Sequence, residues 1–185
     1  MAESSNATFS LGASLPDFTL SNAVDGRPFS ASSIGGEGVL VAFICNHCPY
    51  VVHLRAKLVE LANDAVGRGL VVIAINSNSQ ESHPQDGPAH MKTLAIGDGF
   101  RFPFLYDRTQ DVARAFDAAC TPEFFLFDGA RKLVYHGQFD DSRPGNGKPV
   151  TGDDLRAAID AVLADQPVPT EQRASIGCSI KWHRR

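Results

Sequence analysis

Seven apolar residues in unbroken succession, Val39-Leu40-Val41-Ala42-Phe43-Ile44-Cys45, run directly into Asn46-His47-Cys48-Pro49. A strand with one face in water alternates apolar and polar residues. A continuous run instead belongs to a strand covered on both faces. Being the longest apolar run, it also falls far short of the ~20 residues that span a bilayer. After Pro49 the period changes. Leu54, Leu58, Leu61, Ala62 and Ala65 recur at helical spacing, with Arg55, Lys57, Glu60 and Asp64 off that stripe, and Gly67 and Gly69 close it. Leu70-Val71-Val72-Ile73-Ala74-Ile75-Asn76 is a second continuous run. Strand, helix and strand at this spacing make a βαβ unit with a right-handed crossover.

The remaining segments extend that unit. Leu15-Pro16-Asp17-Phe18-Thr19-Leu20 is short and β-like, followed by a turn at Gly26 and by Pro28-Phe29-Ser30. Ser77 to Asp98 is a polar insertion with a short helix expected near Met91 to Ile96. Phe102-Pro103-Phe104-Leu105-Tyr106-Asp107 reads as too broken by proline for a central strand. Thr109 to Ala118 suits a helix with Val112, Ala113 and Phe116 inward. Glu123-Phe124-Phe125-Leu126-Phe127, a turn at Asp128-Gly129 and Lys132-Leu133-Val134-Tyr135-His136 predict a β-hairpin. Thr151 is placed to N-cap a last helix that carries Leu155, Ile159, Val162 and Leu163 on one face. The order is βαβ, then α, then ββα around a central mixed β-sheet flanked by helices: an α/β, thioredoxin-like fold. Residues 1–14 are expected as a loose start, 15–165 as one domain and 166–185 as an extended C-terminal tail. One domain also agrees with 185 residues, since a typical domain has ~150.

Seventeen Lys and Arg against 21 Asp and Glu leave a net charge of −4, so no basic footprint marks a nucleic acid or membrane partner. Met1-Ala2-Glu3-Ser4-Ser5-Asn6-Ala7-Thr8 has an acid and no apolar core, unlike a signal peptide. The expected location is cytoplasmic. Four cysteines are too few for a disulfide scaffold, and cytosolic thiols stay reduced unless catalytic or metal-bound, so their spacing carries the chemistry.

Cys45-x-x-Cys48 follows a buried strand and opens a helix. A thiolate is the reactive form of cysteine, and unpaired N–H groups plus the positive helix end lower a thiol pKa there. Two sulfurs within one turn allow one to attack and the other to resolve. Pro49 falls in the first turn, where a missing N–H costs little. His47 is placed to stabilise the Cys45 thiolate and so make the couple more oxidising. The competing structural reading is half of a zinc site, completed from His47, His53, Cys178 or His183. With no second Cys-x-x-Cys, no metal is expected. There is no nucleotide loop, so no organic cofactor is expected either.

Cys120 and Cys178 each read as an auxiliary resolving thiol or as packing. His136 reads as a packed or half-exposed histidine and His83 and His90 as solvated. Asp140, Asp141 and Arg143 read as a loop ion cluster, and Phe102, Phe104, Phe124, Phe125 and Phe127 as core.

From Leu15 to Leu163 the chain resembles a redoxin of the thioredoxin superfamily, in the alkyl hydroperoxide reductase and thiol-specific antioxidant (peroxiredoxin-like) group. The resemblance is carried by Leu15-Pro16-Asp17-Phe18-Thr19-Leu20, Cys45-Asn46-His47-Cys48-Pro49, Phe102 to Asp107 and Thr121-Pro122-Glu123-Phe124-Phe125-Leu126-Phe127-Asp128. Gly177-Cys178-Ser179-Ile180-Lys181-Trp182 is similar to the ending of a peroxiredoxin-like subgroup. The resemblance implies an N-terminal redoxin extension and a cis proline at Pro122, lying against the Cys-x-x-Cys turn, with Thr121 and Pro49 also at the substrate contact. It implies a thiol–disulfide oxidoreductase in which an exposed Cys45 attacks, Cys48 resolves and His47 tunes the pair. Its partners would be a dithiol or disulfide protein, or glutathione. The second activity within the resemblance is a thiol peroxidase using Cys48, with Cys45, Cys120 or Cys178 resolving. That group's site has a threonine where Cys45 stands and an arginine where Pro122 stands, leaving Arg55 or Arg143 as substitutes. A third reading is a non-enzymatic zinc-binding or redox-sensing module.

Overall fold

Residues 2–4 and 9–184 are described by a computed structural model. Its elements in chain order are β1 (Ala2–Ser4), β2 (Thr19–Asn22), β3 (Pro28–Ser30), β4 (Gly38–Phe43), α1 (Pro49–Gly67), β5 (Val71–Asn76), α2 (Pro88–Gly97), β6 (Phe104–Tyr106), α3 (Asp111–Ala115), β7 (Cys120–Thr121), β8 (Glu123–Asp128), β9 (Leu133–Gly137), α4 (Asp153–Leu163) and β10 (Ile176–Ser179). Seven strands form a mixed sheet in the order β3-β2-β6-β5-β4-β8-β9. β4 lies inside it, parallel to β5 and antiparallel to β8.

The unbroken apolar run is explained by two cores. Leu40, Ala42 and Ile44 join one cluster with Leu54, Leu58, Leu61 and Ala62 of α1 and Leu155 and Ile159 of α4. Val39, Val41 and Phe43 point the other way, into a cluster with Phe116, Phe125 and Phe127. Burying a side chain of this size contributes about 1.5–3 kcal/mol, so each face of β4 holds its own layer of helix or loop. The chain leaves β4 between these layers at Cys45, which is why the cysteine pair sits at the rim of the sheet and not in a surface loop.

Three local expectations change. Phe104–Tyr106 does form an interior strand, between β2 and β5. Pro103 stands just outside it, where its missing N–H costs nothing, and its carbonyl accepts the Ala74 amide at 3.0 Å. α4 starts at Asp153 with Gly152 as its cap, at φ 72°. Thr151 sits one residue earlier, and Asp140 Oδ2 takes the Thr151 and Gly152 amides at 2.7 and 2.8 Å. Residues 2–4 of the expected loose start pair antiparallel with β10. The part of that expectation covering residues 5–8 lies outside the described residues. No helix among the described residues is long and apolar enough to cross a membrane.

Candidate active site

Cys48 is the N-cap of α1, with Pro49 in the first turn. Cys45 precedes it in the connection from β4, and each of the two thiols shifts the ionisation of the other. Facing them is the loop between β7 and β8, whose Thr121-Pro122 peptide bond is cis. Thr121 Oγ1 lies 3.4 Å from Cys45 Sγ, and the Thr121 carbonyl lies 3.2 Å from Cys48 Sγ, placed to accept its proton when it carries one. The structure therefore brings Cys45, Cys48, Thr121 and Pro122 together, while Pro49 is exposed beside them.

Neither cysteine is the exposed one expected: Cys45 is 1% and Cys48 0% accessible. The two sulfurs differ in charge preference instead. Cys48 is held down to about 4, chiefly by the hydrogen bond from the Cys45 thiol, which with a second from Cys178 outweighs burial. Cys45 is pushed far up, first by that same bond to Cys48, then by burial and by the charge of Asp86. Position agrees with this asymmetry, because Cys48 stands at the positive end of α1 and Cys45 beside a carboxylate. Asp86, which the motif does not contain, adds to the rise at Cys45 after the Cys48 sulfur and burial.

Asp86 is wholly buried in the insertion after β5. Its Oδ1 accepts the Asn46 amide at 2.8 Å. Its Oδ2 accepts Asn78 Nδ2 at 2.9 Å and His47 Nδ1 at 2.6 Å. His47 is therefore anchored to Asp86, and its ring stacks on His83 with centroids 4.9 Å apart. His83 is partly covered by this contact, and burial followed by the His47 charge lowers its pKa. His90 is exposed. Sequence reading missed Asp86 and Asn78; their one signal was a polar stretch directly after a buried strand.

The tail brings a third sulfur. β10 lies between β1 and β7, with Cys178 opposite Thr121. Cys178 Sγ is 2.7 Å from Cys48 Sγ, and burial, then the Cys48 sulfur, push its thiol up to about 11. Cys120 is buried on β7 next to Thr121, with its sulfur 3.9 Å from the Pro122 carbonyl.

Ligand atoms of Cys45, His47 and Asp86 lie within 4.8 Å of one another, one short of a structural zinc set. Of the other expected zinc ligands, Cys178 stands beside Cys48, whereas His53 bonds Ser142 at 2.7 Å and His183 bonds Ser79 and the Arg108 carbonyl. His136 pairs with the buried Glu123 at 2.8 Å and stacks on Phe125. Asp140, Asp141 and Arg143 do not form one ion cluster. Asp140 gathers loop amides, Asp141 pairs with Lys148, and Arg143 bonds Gln138 and the carbonyls of Asp140 and Ser142. Arg55 pairs with Asp98 at 2.6 Å.

A mixed sheet flanked by helices, with a helix-capping cysteine pair facing a cis proline, defines a redoxin of thioredoxin-like fold. The chain belongs to the AhpC/TSA family, which it matches over residues 11–136. It is similar along its whole length to an uncharacterized conserved protein from Geobacillus kaustophilus, at 50% identity and TM-score 0.96, covering 100% of this chain and 98% of that one. A hypothetical protein from Sinorhizobium meliloti 1021 is similar at 49% identity and TM-score 0.95, covering 98% and 99%. A thioredoxin family thiol:disulfide interchange protein from Chlorobium tepidum TLS shares the fold, at TM-score 0.64 and 19% identity, over 83% of this chain and 98% of that one. No curated protein matches.

Proposed function

We propose that this redoxin is a thiol–disulfide oxidoreductase whose Cys45/Cys48 pair cycles between dithiol and disulfide. The observation that carries this reading is the placement of the pair: Cys48 caps α1, and the Cys45 and Cys48 sulfurs lie 3.4 and 3.2 Å from Thr121 oxygens beside the cis Thr121-Pro122 bond. Cys48 is the nucleophile, and Cys45 is the thiol that closes the disulfide with it once its proton is lost. His47 and Asp86 fix the turn that holds both sulfurs, and Thr121 and Pro122 form the wall they face. A dithiol or disulfide protein, or glutathione, is the partner chemistry this pair suits.

The peroxidase reading is less well supported. Arginine and threonine hydrogen bonds that stabilise a breaking O–O bond are what such a site needs. Cys45 replaces the threonine and Pro122 replaces the arginine, while Arg55 pairs with Asp98 and Arg143 bonds Gln138 and the carbonyls of Asp140 and Ser142.

Exposure of the reduced protein to oxidised glutathione, followed by alkylation and peptide mapping, tests the proposal. A Cys45–Cys48 disulfide is expected in the wild type. Cys48→Ser should abolish turnover, and Cys45→Ser should slow it by about tenfold or more because resolution is lost. A Cys45→Ser variant that turns over at the wild-type rate would contradict it.

A further inference from the structure

Cys48 and Cys45 are almost fully buried, so neither sulfur meets an outside thiol while the tail is docked. Of the three clustered cysteines only Cys178 is half-buried rather than buried. Its position is fixed from both sides. Upstream, the Gln138 amide donates to the Arg173 carbonyl at 2.7 Å, and Ser175 Oγ donates to the Gly137 carbonyl at 2.8 Å. Downstream, the Lys181 amide donates to Asn78 Oδ1 at 2.8 Å, and the Ser79 amide donates to the Lys181 carbonyl at 2.8 Å. Asn78 also bonds Asp86, so the tail and the His47 turn share one polar network. Directly beside Cys178, a Cβ on Gly177 would fall 2.0 Å from the Thr121 carbonyl, so glycine lets β10 lie this close to the cis-proline loop. Cys178 and Cys48 are then less than an ångström from the ~2.05 Å of a disulfide.

We infer that Cys178 is the sulfur at which the protein exchanges with a low-molecular-weight thiol and its disulfide, and that a Cys48–Cys178 disulfide relays the oxidation to Cys45–Cys48. This rests on the Cys45/Cys48 exchange proposed above. The small partner follows from the pairing of β10. Its edges are hydrogen-bonded to β1 on one side and β7 on the other, which leaves no strand edge at this sulfur for a protein chain to join.

The steps balance. In oxidation, Cys178 loses its proton to solvent and attacks the disulfide RS–SR. The products are Cys178–S–SR and RS⁻, which takes up a proton. The Cys48 thiolate then attacks the Cys178 sulfur, displacing the second RS⁻, which is protonated in turn, and forming Cys48–Cys178. Cys45, deprotonated, attacks the Cys48 sulfur, forming Cys45–Cys48 and releasing Cys178 as a thiolate that is reprotonated. Overall RSSR becomes two RSH while two protein thiols become one disulfide. Reduction runs the same steps backward: an incoming thiolate attacks Cys178 in the Cys48–Cys178 disulfide and expels Cys48. That direction is favoured because a low-pKa thiolate leaves fastest.

The test uses the full chain with reduced and oxidised glutathione as the probe, acid quenching and peptide mapping. In Cys45→Ser, oxidised glutathione should produce a Cys48–Cys178 disulfide, and any trapped adduct should sit on Cys178. Cys178→Ser and Cys178→Ala should slow exchange with glutathione by about tenfold or more, since the exposed sulfur is gone. A purely structural effect of these variants would have the opposite sign, because a loosened tail uncovers Cys48 and speeds exchange. Adducts on Cys48 with Cys178 free, or unchanged rates in both Cys178 variants, would overturn the relay. A Cys45–Cys48 disulfide formed at the wild-type rate in those variants defeats the relay and leaves the proposed function standing. Its failure to form in the wild type defeats both.

Discussion

Two cysteines three residues apart acquire different characters here chiefly through each other, with burial and then Asp86 adding to the rise at Cys45. The largest cause lowering Cys48 is the Cys45 thiol, so Cys45→Ala should move the Cys48 titration up from about 4. Ultraviolet thiolate absorbance against pH measures this; an unmoved titration would mean that the cap alone sets the thiolate. In the wild type the signal should persist below neutral pH and vanish as pH falls through about 4. Asp86 is buried and accepts three hydrogen bonds. Asp86→Ala leaves those donors unpaired and should destabilise the protein by about 1–3 kcal/mol, seen as a lower melting temperature. The same change removes a charge that raises Cys45, whose pKa should fall. At this scale the cysteine pair and Pro122 were legible because the chemistry is contiguous or follows the order of strands. Asp86 was not: it reaches His47 across 39 residues, and a single aspartate in a polar stretch has no period to mark it.

Among the elements, β10 and β7 decide what reaches the site. Gly177→Ala would place a methyl against the Thr121 carbonyl, so β10 should detach from β7. Faster amide exchange in 176–180 and faster alkylation of Cys178 are expected; wild-type protection would show that the strands tolerate the methyl group. Strands with continuous apolar runs, β4 and β5, were readable from composition alone. β6 was not, because Pro103 suggested a break where the chain only enters the sheet with its carbonyl in use. β1 and β10 were not readable either. They are only three and four residues long, and their pairing is a long-range event that no local propensity records.

Over the whole molecule, the two apolar layers on β4 hold the cysteine turn at a fixed height above the sheet. Phe116 is wholly buried and packs against Phe43 at 5.3 Å and Phe125 at 5.3 Å. Phe116→Ala should cost about 3–5 kcal/mol by opening a cavity on the face away from α1. The Cys48 titration should remain in place, since the cluster that holds Phe116 includes none of the cysteines; a shift would show that the layers are coupled through β4. The central claim, exchange with disulfides in preference to peroxide reduction, is tested most directly by one comparison. Pre-reduced protein is given hydrogen peroxide or oxidised glutathione, and rate and product are followed by mass spectrometry. The expected result is a peroxide rate no better than a free thiol, with ready formation of Cys45–Cys48 from the disulfide. A peroxide rate far above a free thiol, with sulfenic acid trapped on Cys48, would contradict it.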